Sequence, residues 1–352
     1  MTSNLPTGAP SLKSLSAIKR RPLSVANEDL VKVRPLFESG DLPLLVEPAV
    51  PGLDLASWAA GNRDFIEEKL SHYGGLLFRN FAIQEAASLE GFIRAACGEA
   101  LEYRERSSPR SSVAGNIYTS TDYPPSQPIF LHNENSYQKV WPLKIFFCCH
   151  QPAERGGETP IADCRRVLTH IDSAIRDRFA AKGWMYVRNF GDGFGLTWQT
   201  VFQTEDKQQV EEHCRRSGIE VEWKAGDRLR TRAIRPVFSR HPKTGEILWF
   251  NHATFFHVST LDPVVREALL EEFSEEDLPA NTYYGDGRPI EPEVLEHLRE
   301  AYHRETVSFP WEQGDLLMLD NMKVAHGRAP FSGSRKILVG MAEPVSRDDA
   351  QA

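Results

Sequence analysis

Cysteine is scarce in this chain and forms no regular framework. The 352 residues include an odd number of cysteines without a CxxC pair: Cys97, Cys148, Cys149, Cys164 and Cys214. Small secreted domains that depend on disulfides carry an even, regularly spaced set, so this class is not expected. Because no secretion signal is present either, the pattern predicts reduced thiols and a cytoplasmic protein.

Long apolar runs are also missing. No stretch reaches the roughly eighteen uninterrupted apolar residues of a membrane-spanning helix, and the N-terminus has no apolar signal-peptide core. Residues 1–26 carry Ser, Lys and Arg, and we expect a flexible leader there. Pro6, Pro10 and Pro22 would break the amphipathic helix of a transit peptide. The sequence therefore predicts no membrane partner.

Positive charge is not in excess. The net charge is −8 and the isoelectric point about 5.8, whereas nucleic-acid binders need Lys and Arg to neutralise phosphates. We expect neither a nucleic acid nor an anionic membrane as partner. Apolar residues make up 41% and charged residues 26% of the chain, which is typical of a soluble globular protein.

Short β-rich runs and helical segments make up the rest of the chain. The run LKIFFCCHQ is apolar throughout between Pro142 and Pro152, which predicts a buried central strand. Helical spacing predicts helical insertions at about residues 165–225 and 262–306. We therefore expect a single mainly β domain with peripheral helices over residues 27–345, followed by a flexible tail, 346–352.

Two separated segments hold candidate metal ligands. His132 and Glu134 in LHNENSY are two residues apart, a spacing that places both on one face of a strand. Such a pair alone is more often an ordinary surface pair, but His326 follows in a loop between two apolar strands. Two imidazoles and one carboxylate are the ligand set of a mononuclear non-haem iron site, which leaves positions open for a co-substrate and dioxygen. We therefore predict that all three bind Fe(II).

Arg335 opens the apolar strand that follows His326. A guanidinium can bind a carboxylate through two parallel hydrogen bonds, as the distal carboxylate of 2-oxoglutarate requires. Thr159 in GGETP could add a hydroxyl to the same carboxylate. Asn116 in GNIYTSTDYP, with its neighbours Tyr118 and Thr119, is a further candidate for contact with co-substrate or substrate.

Supporting roles can be assigned to polar residues near these segments. Asp320 and Asn321 precede the His326 loop and could orient that imidazole, since a metal-bound His usually donates its other N–H to an acceptor. A strand-ending turn is the alternative. His252 and His257 flank ATFF, where a structural role is favoured.

Together, the segments resemble the taurine dioxygenase family of Fe(II)/2-oxoglutarate-dependent oxygenases, and its branch similar to the aspartyl hydroxylase of syringomycin biosynthesis. The resemblance extends from about residue 70 to residue 343 through HYGGLLFRNF, GNIYTSTDYP, FLHNENSY, ERGGETPIAD, WFNHATFFH, NTYYGDG and GDLLMLDNMKVAHGRAPFSGSRKILVGM. It implies a double-stranded β-helix core of the jelly-roll, cupin-like type. It also implies that His132, Glu134 and His326 hold iron, that Arg335 and Thr159 hold 2-oxoglutarate, and that O2 is consumed.

Glu134 stands where many members of this family have Asp. A small residue there would have opened a site for chloride, so the carboxylate predicts hydroxylation of an unactivated C–H bond and not halogenation. Desaturation, cyclisation and epimerisation remain alternatives, because the outcome depends on how the substrate lies. A non-catalytic member that binds a small acid is a further alternative. Loss of a candidate ligand residue or of Arg335 would have indicated that alternative, and all of them are present.

The resemblance favours an amino-acid substrate in specialised-metabolite, antibiotic or nonribosomal peptide biosynthesis. Aspartate hydroxylated at its β carbon is the first candidate, either free or tethered to a peptidyl carrier protein. An acidic substrate would need basic partners, for which the candidates are Lys144, Arg188, Arg230, Arg232, Arg235 and Arg288. The run RLRTRAIR, residues 228–235, is a candidate patch for a carrier protein, and an ordinary exposed strand is the alternative.

Overall fold

A computed structural model describes residues 30–38, 40–81, 83, 85–102, 112–120, 123–191 and 193–351. The leader expected over residues 1–26 lies outside this part of the chain. No described helix has the length and apolar character needed to cross a bilayer.

An eight-stranded sheet forms one side of the core. Its neighbours are antiparallel except for the second and third strands, which run parallel. Numbered along the chain and given in spatial order, the strands are β1 (Val31–Phe37), β2 (Gly40–Pro48), β3 (Gly75–Phe78), β17 (Leu316–Asp320), β7 (Val140–Gln151), β20 (Lys336–Ser346), β5 (Ile117–Thr119) and β4 (Ser112–Ala114).

A smaller antiparallel sheet packs against it. In spatial order it consists of β16 (Thr306–Val307), β9 (Ile161–Asp163), β18 (Val324–Arg328) and β6 (Ile129–His132). The last two strands carry both candidate histidine ligands, so the pairing of this sheet sets the geometry of the site.

The position of strand β7 in the core accounts for its uninterrupted apolar sequence. Successive side chains of a strand point to opposite faces, and both faces of β7 are covered. Ile145 and Phe147 pack with Ile161 and Val324 of the smaller sheet, whereas Phe146 belongs to a cluster on the other face. The prediction of a buried central strand is confirmed.

Helices cover the outer faces of both sheets. On the large sheet lie α1 (Leu55–Gly61), α2 (Arg63–Tyr73) and α3 (Ala86–Cys97), and on the smaller one α4 (Cys164–His170), α5 (Ser173–Lys182) and α9 (Pro292–Arg304). Two facing, largely antiparallel sheets with helices outside are the layout of a jelly roll. The predicted fold class, mainly β with peripheral helices around a double-stranded β-helix, is confirmed.

The two predicted insertions are not purely helical. They contain β10 (Trp184–Phe190), β11 (Glu220–Lys224) and β15 (Ala280–Tyr284), which join β12 (Arg228–Arg235) in a sheet of order β11-β12-β10-β15. The remaining elements are α6 (Trp198–Phe202), α7 (Lys207–Ser217), α8 (Pro263–Glu272), the hairpin of β13 (Phe238–Arg240) with β14 (Ile247–Trp249), and the pair β8 (Arg155–Gly156) with β19 (Phe331–Ser332). Pairing between segments distant in sequence, β10 with β12 and β10 with β15, forms this sheet.

The flexible tail expected from residue 346 is not seen in residues 346–351. Strand β20 continues to Ser346, and a turn of 3₁₀ helix follows over Arg347–Asp349. Ala350 is buried, and its carbonyl accepts a hydrogen bond from the backbone N–H of Arg240. Packing against the hairpin β13–β14 orders this segment.

Candidate metal centre

Antiparallel pairing of β6 and β18 brings the two candidate histidine ligands together. His326 lies opposite His132, and their ring centroids are 4.5 Å apart. Glu134 follows in the turn just beyond β6, with its Oε2 3.8 Å from Nε2 of His326. Each of the three side chains offers a ligand atom, and these atoms lie within 4.8 Å of one another. They fit a single metal ion with two nitrogen ligands and one oxygen ligand.

The tautomer of His132 suits metal binding. Its Nδ1 lies 2.9 Å from the carbonyl oxygen of Phe130, an acceptor that requires the proton on Nδ1. The lone pair of a neutral ring is then on Nε2, the usual arrangement when the second ring nitrogen of a metal-binding His is held by a backbone carbonyl. The ring of His326 is buried against Phe147, with centroids 4.9 Å apart.

Asn321 holds the backbone of Glu134. Its Oδ1 accepts from the Glu134 N–H at 2.7 Å, and its Nδ2 donates to the Glu134 carbonyl at 2.9 Å. Asp320 instead accepts from His241 at 2.9 Å and from backbone N–H groups of the following turn. The expectation that Asp320 and Asn321 orient His326 is therefore wrong, because both side chains are occupied by other partners.

Two arginines hold the turn that follows Glu134. Arg347 donates to the carbonyls of Ser136 and Gln138 at 2.7 and 2.8 Å, and Arg235 donates to the Tyr137 carbonyl at 3.0 Å. Burial and the nearby Arg235 lower the pKa of Arg347 to about 9. The segment expected to be a mobile tail thus anchors the loop that carries a candidate ligand.

A small cavity of about 30 Å³ lies on one side of the three ligands. Its wall contains His132, His326, Thr159, Arg328 and Arg335. The sequence thus identified two groups of this wall besides the ligands, Thr159 and Arg335.

Among the described residues, no carboxylate forms an ion pair with Arg335. Its Nε donates to the Gly157 carbonyl at 2.7 Å and its Nη1 to the Ser120 hydroxyl at 3.3 Å. Burial, reinforced by Arg328, lowers the pKa of Arg335 to about 10. A ligand carboxylate would supply a negative charge here, so this wall suits the distal carboxylate of 2-oxoglutarate. The hydroxyl of Thr159, buried beside Trp311, lies in the same wall.

Asn116 does not reach this cavity. Its side chain donates to the carbonyl of Ala100 at 2.8 Å, in the turn between β4 and β5. The prediction that Asn116 binds the co-substrate is wrong, because the turn directs its carboxamide elsewhere. Sequence reasoning missed Ser120, whose hydroxyl contacts Arg335; only the pairing of β5 with β20 places it there.

A second, larger cavity of about 320 Å³ adjoins the candidate ligands. His132 and Glu134 line it together with aromatic walls from Phe130, Phe255 and Phe256. Among the described residues that line it there is no lysine or arginine. The described wall of this cavity is therefore mainly apolar and aromatic.

His252 closes the cavity next to His132. The ring stacks on Phe256 with centroids 4.7 Å apart, and its Nδ1 is hydrogen-bonded to the Ser136 hydroxyl. Burial, with His132 close by, holds the pKa of His252 well below its ordinary value, so the ring is neutral.

The basic residues proposed to bind an acidic substrate lie elsewhere. Arg230 is buried and pairs with Asp277, Arg232 pairs with Glu222, and Arg235 donates to backbone carbonyls. Lys144 is held between two glutamates, and none of the six candidates, Lys144, Arg188, Arg230, Arg232, Arg235 and Arg288, lines the cavity. The RLRTRAIR run is an inner strand, β12, whose arginines mostly serve internal contacts.

Comparisons with known proteins agree with this geometry. A model of the family described as taurine catabolism dioxygenase TauD, TfdA family, matches residues 33–342. The chain is similar to the dapdiamide synthesis protein DdaC of Enterobacter agglomerans, 44% identical over 280 residues, which cover 80% of this chain and 85% of the relative. It is also similar to a clavaminate synthase-like protein of Arabidopsis thaliana, 27% identical over 334 residues, 87% of this chain and 95% of the relative.

Solved structures share the fold. The crystal structure of the PvcB protein from Pseudomonas aeruginosa aligns with a TM-score of 0.55 and 17% identity, covering 93% of this chain and 96% of that one. This likeness concerns the fold alone. From the family match and the similarity to DdaC, the chain belongs to the TauD/TfdA family and is an iron- and 2-oxoglutarate-dependent dioxygenase.

Proposed function

We propose that this enzyme hydroxylates an unactivated C–H bond of a small, amino-acid-derived substrate in specialised-metabolite biosynthesis. The relative named for dapdiamide synthesis supports the metabolic setting. We assign iron binding to His132, Glu134 and His326, and 2-oxoglutarate binding to Arg335 with Thr159.

One observation carries this proposal: the candidate ligands stand between two cavities of different chemistry. His132 lines both. The smaller one contains the partly buried cation of Arg335, which suits an anionic co-substrate, and the larger one is walled mainly by apolar and aromatic groups. Co-substrate and substrate can therefore each occupy their own cavity beside the metal position.

The residues of this chain hold and enclose the reactants. Iron with bound 2-oxoglutarate supplies the oxidising power, because it activates dioxygen for attack on a C–H bond. Asn321 fixes Glu134, the Phe130 carbonyl fixes the His132 tautomer, and Arg335 anchors the co-substrate. Aromatic side chains of the larger cavity exclude water from the reacting position.

The cavity favours a neutral substrate over free aspartate. Binding of a second carboxylate would be supported by a lysine or arginine in the wall, and the described wall offers none. Tethering to a carrier protein remains a hypothesis. The arginines of β12 give it no support, because Arg230 and Arg232 pair with carboxylates and Arg235 donates to backbone carbonyls.

An anaerobic titration of the apo-protein with Fe(II) and 2-oxoglutarate tests the assignment. We expect a visible charge-transfer band that requires both components, and its loss in His132→Ala and His326→Ala. His297→Ala, a change on α9 outside both cavities, is the matched control and keeps the band. A band retained by either ligand variant would show that the metal binds elsewhere.

A second step identifies the reaction. Purified enzyme supplied with labelled dioxygen is expected to form succinate and to transfer one labelled oxygen atom to the substrate, as measured by mass spectrometry. A product that has lost two hydrogen atoms without gaining oxygen would instead indicate desaturation or cyclisation and refute hydroxylation.

A further inference from the structure

Asn135 is a polar residue of the larger cavity that the chemistry described so far does not use. It follows Glu134 directly, is 7% exposed, and lines the cavity. Its Oδ1 is shielded from solvent and makes no hydrogen bond to any described residue. Buried polar side-chain atoms are nearly always hydrogen-bonded in folded proteins, so a carboxamide oxygen without a partner, on a residue of a cavity wall, points to a ligand that completes it.

The backbone holds this carboxamide in place. Asn135 has a φ of 58°, in the left-handed region that Asn tolerates better than most residues. The turn is clamped on both sides, by Asn321 at Glu134 and by Arg347 at Ser136 and Gln138. The side chain is therefore presented from a rigid loop, as a specificity contact requires.

Most other polar groups of the wall are already engaged and uncharged. The Tyr123 hydroxyl donates to Gln127 at 2.8 Å, and the Thr260 hydroxyl donates to the Thr254 carbonyl at 2.6 Å. Nδ1 of His257 accepts from the Ser259 N–H at 3.1 Å, which places the proton of the neutral ring on Nε2.

A carboxamide offers a donor and an acceptor side by side, and an amide group of a ligand is complementary to both. A carboxylate can use only the donor, and an ammonium group only the acceptor. We propose that the Asn135 carboxamide pairs with an amide of the substrate, so that the enzyme selects a neutral, amide-bearing amino-acid derivative over the free amino acid. This inference rests on the proposed function of the same site.

Two isosteric probes with the leucine carbon skeleton test it: 4-methylpentanamide, which is neutral and carries one amide, and 4-methylpentanoate, which carries a carboxylate in place of that amide. Each is titrated calorimetrically, without oxygen, into the full-length protein loaded with Fe(II) and 2-oxoglutarate. We expect the amide to bind at least about tenfold more tightly, because the acid leaves one side of the carboxamide unpaired.

The variants isolate the carboxamide from the backbone. Asn135→Gly removes it while keeping a residue that accepts positive φ, and Asn135→Asp keeps its shape but replaces the donor. Both should abolish the preference for the amide. Asn80→Gly is the matched control, because Asn80 also has a positive φ, 69°, and bonds Glu47 outside both cavities. It should keep the preference.

The visible band of the iron and 2-oxoglutarate complex is recorded for each protein before titration. If the wild-type protein lacks the band, the proposed function fails. If the band is present and the two probes bind equally, or neither binds, or Asn135→Asp keeps the wild-type preference, the assignment of Asn135 is overturned while the oxygenase chemistry stands.

Discussion

Replacing Arg335 by Met should separate co-substrate binding from folding. The guanidinium is a partly buried cation of the smaller cavity, and among the described residues no carboxylate pairs with it. If 2-oxoglutarate supplies that carboxylate, then the loss of Arg335 removes two charge-assisted hydrogen bonds that exist only in the complex. Each is worth about 1.5–3 kcal/mol, so we expect the dissociation constant to rise by about 10²- to 10⁴-fold.

The effect on stability should be small by comparison. Burial lowers the pKa of Arg335 to about 10, which corresponds to a cost of about 3 kcal/mol for keeping the charge inside the apo-protein. Met removes this cost. It also removes the hydrogen bonds to Gly157 and Ser120, which together stabilise by about 3 kcal/mol at the lower end of the range for bonds to a charged group. The two changes nearly cancel, so the free energy of unfolding of the apo-protein should change by no more than about 1 kcal/mol.

The assay is a 2-oxoglutarate titration of the anaerobic Fe(II) protein, followed by the visible band, with urea unfolding of the apo-protein in parallel. Arg335→Lys keeps the charge but not the planar fork and should give an intermediate affinity. Arg240→Met, which alters an exposed arginine of the hairpin β13–β14, should change neither quantity. An Arg335→Met protein that binds 2-oxoglutarate within fivefold of wild type would refute the anchor.

Three further predictions follow from buried groups. Arg347→Met should leave the carbonyls of Ser136 and Gln138 without their donor. The rate of backbone hydrogen exchange in this turn should therefore rise, and the affinity for Fe(II) should fall. Unchanged exchange would contradict the role of Arg347 in holding the turn. Burial raises the pKa of the Cys148 and Cys149 thiols to about 12, so both should react with a thiol reagent at pH 8 only after unfolding, and rapid labelling of the native protein would count against the fold. Burial chiefly lowers the pKa of His257 to about 4, whereas the same ring in the unfolded chain binds a proton near pH 6.5. The contribution of the neutral His257 ring to the free energy of unfolding is therefore lost as pH falls from 6.5 to 4. His257→Asn, which keeps an acceptor for the Ser259 N–H, should weaken that loss, as measured by urea unfolding across this range; an unchanged slope would show that the ring is not buried as described.

Sequence reasoning succeeded where a short pattern determines the geometry. The uninterrupted apolar run of β7 reflects two covered faces, and a strand with both faces covered has few alternatives. The proximity of His132 and Glu134 follows from their spacing, although β6 ends at His132 and the glutamate lies in the turn. The grouping of His326 with them rested on the ligand set of a non-haem iron site and on the family resemblance, because no local rule places residues so distant in sequence opposite each other.

The failures concern side chains whose partners are remote in sequence. Asn116 was predicted to contact the co-substrate because of the segment in which it lies, but its carboxamide donates a hydrogen bond to the Ala100 carbonyl. Asp320 was predicted to orient His326 because the two are close in sequence, whereas its carboxylate is hydrogen-bonded to His241 of the hairpin β13–β14. Both are polar groups that find the nearest complementary atom in space, and no spacing rule predicts which atom that is.

The loop after Glu134 shows why the site depends on distant parts of the chain. Three successive carbonyls, of Ser136, Tyr137 and Gln138, point to arginines from β12 and from the C-terminal segment. Placing Arg347 here is unfavourable, because partial burial and then the like charge of Arg235 lower the pKa of its guanidinium. Such a cost is tolerated when it fixes a geometry that function requires, because a metal ligand displaced by even half an ångström loses affinity. The same clamp holds Asn135, so ligand position and substrate choice are set by one rigid turn.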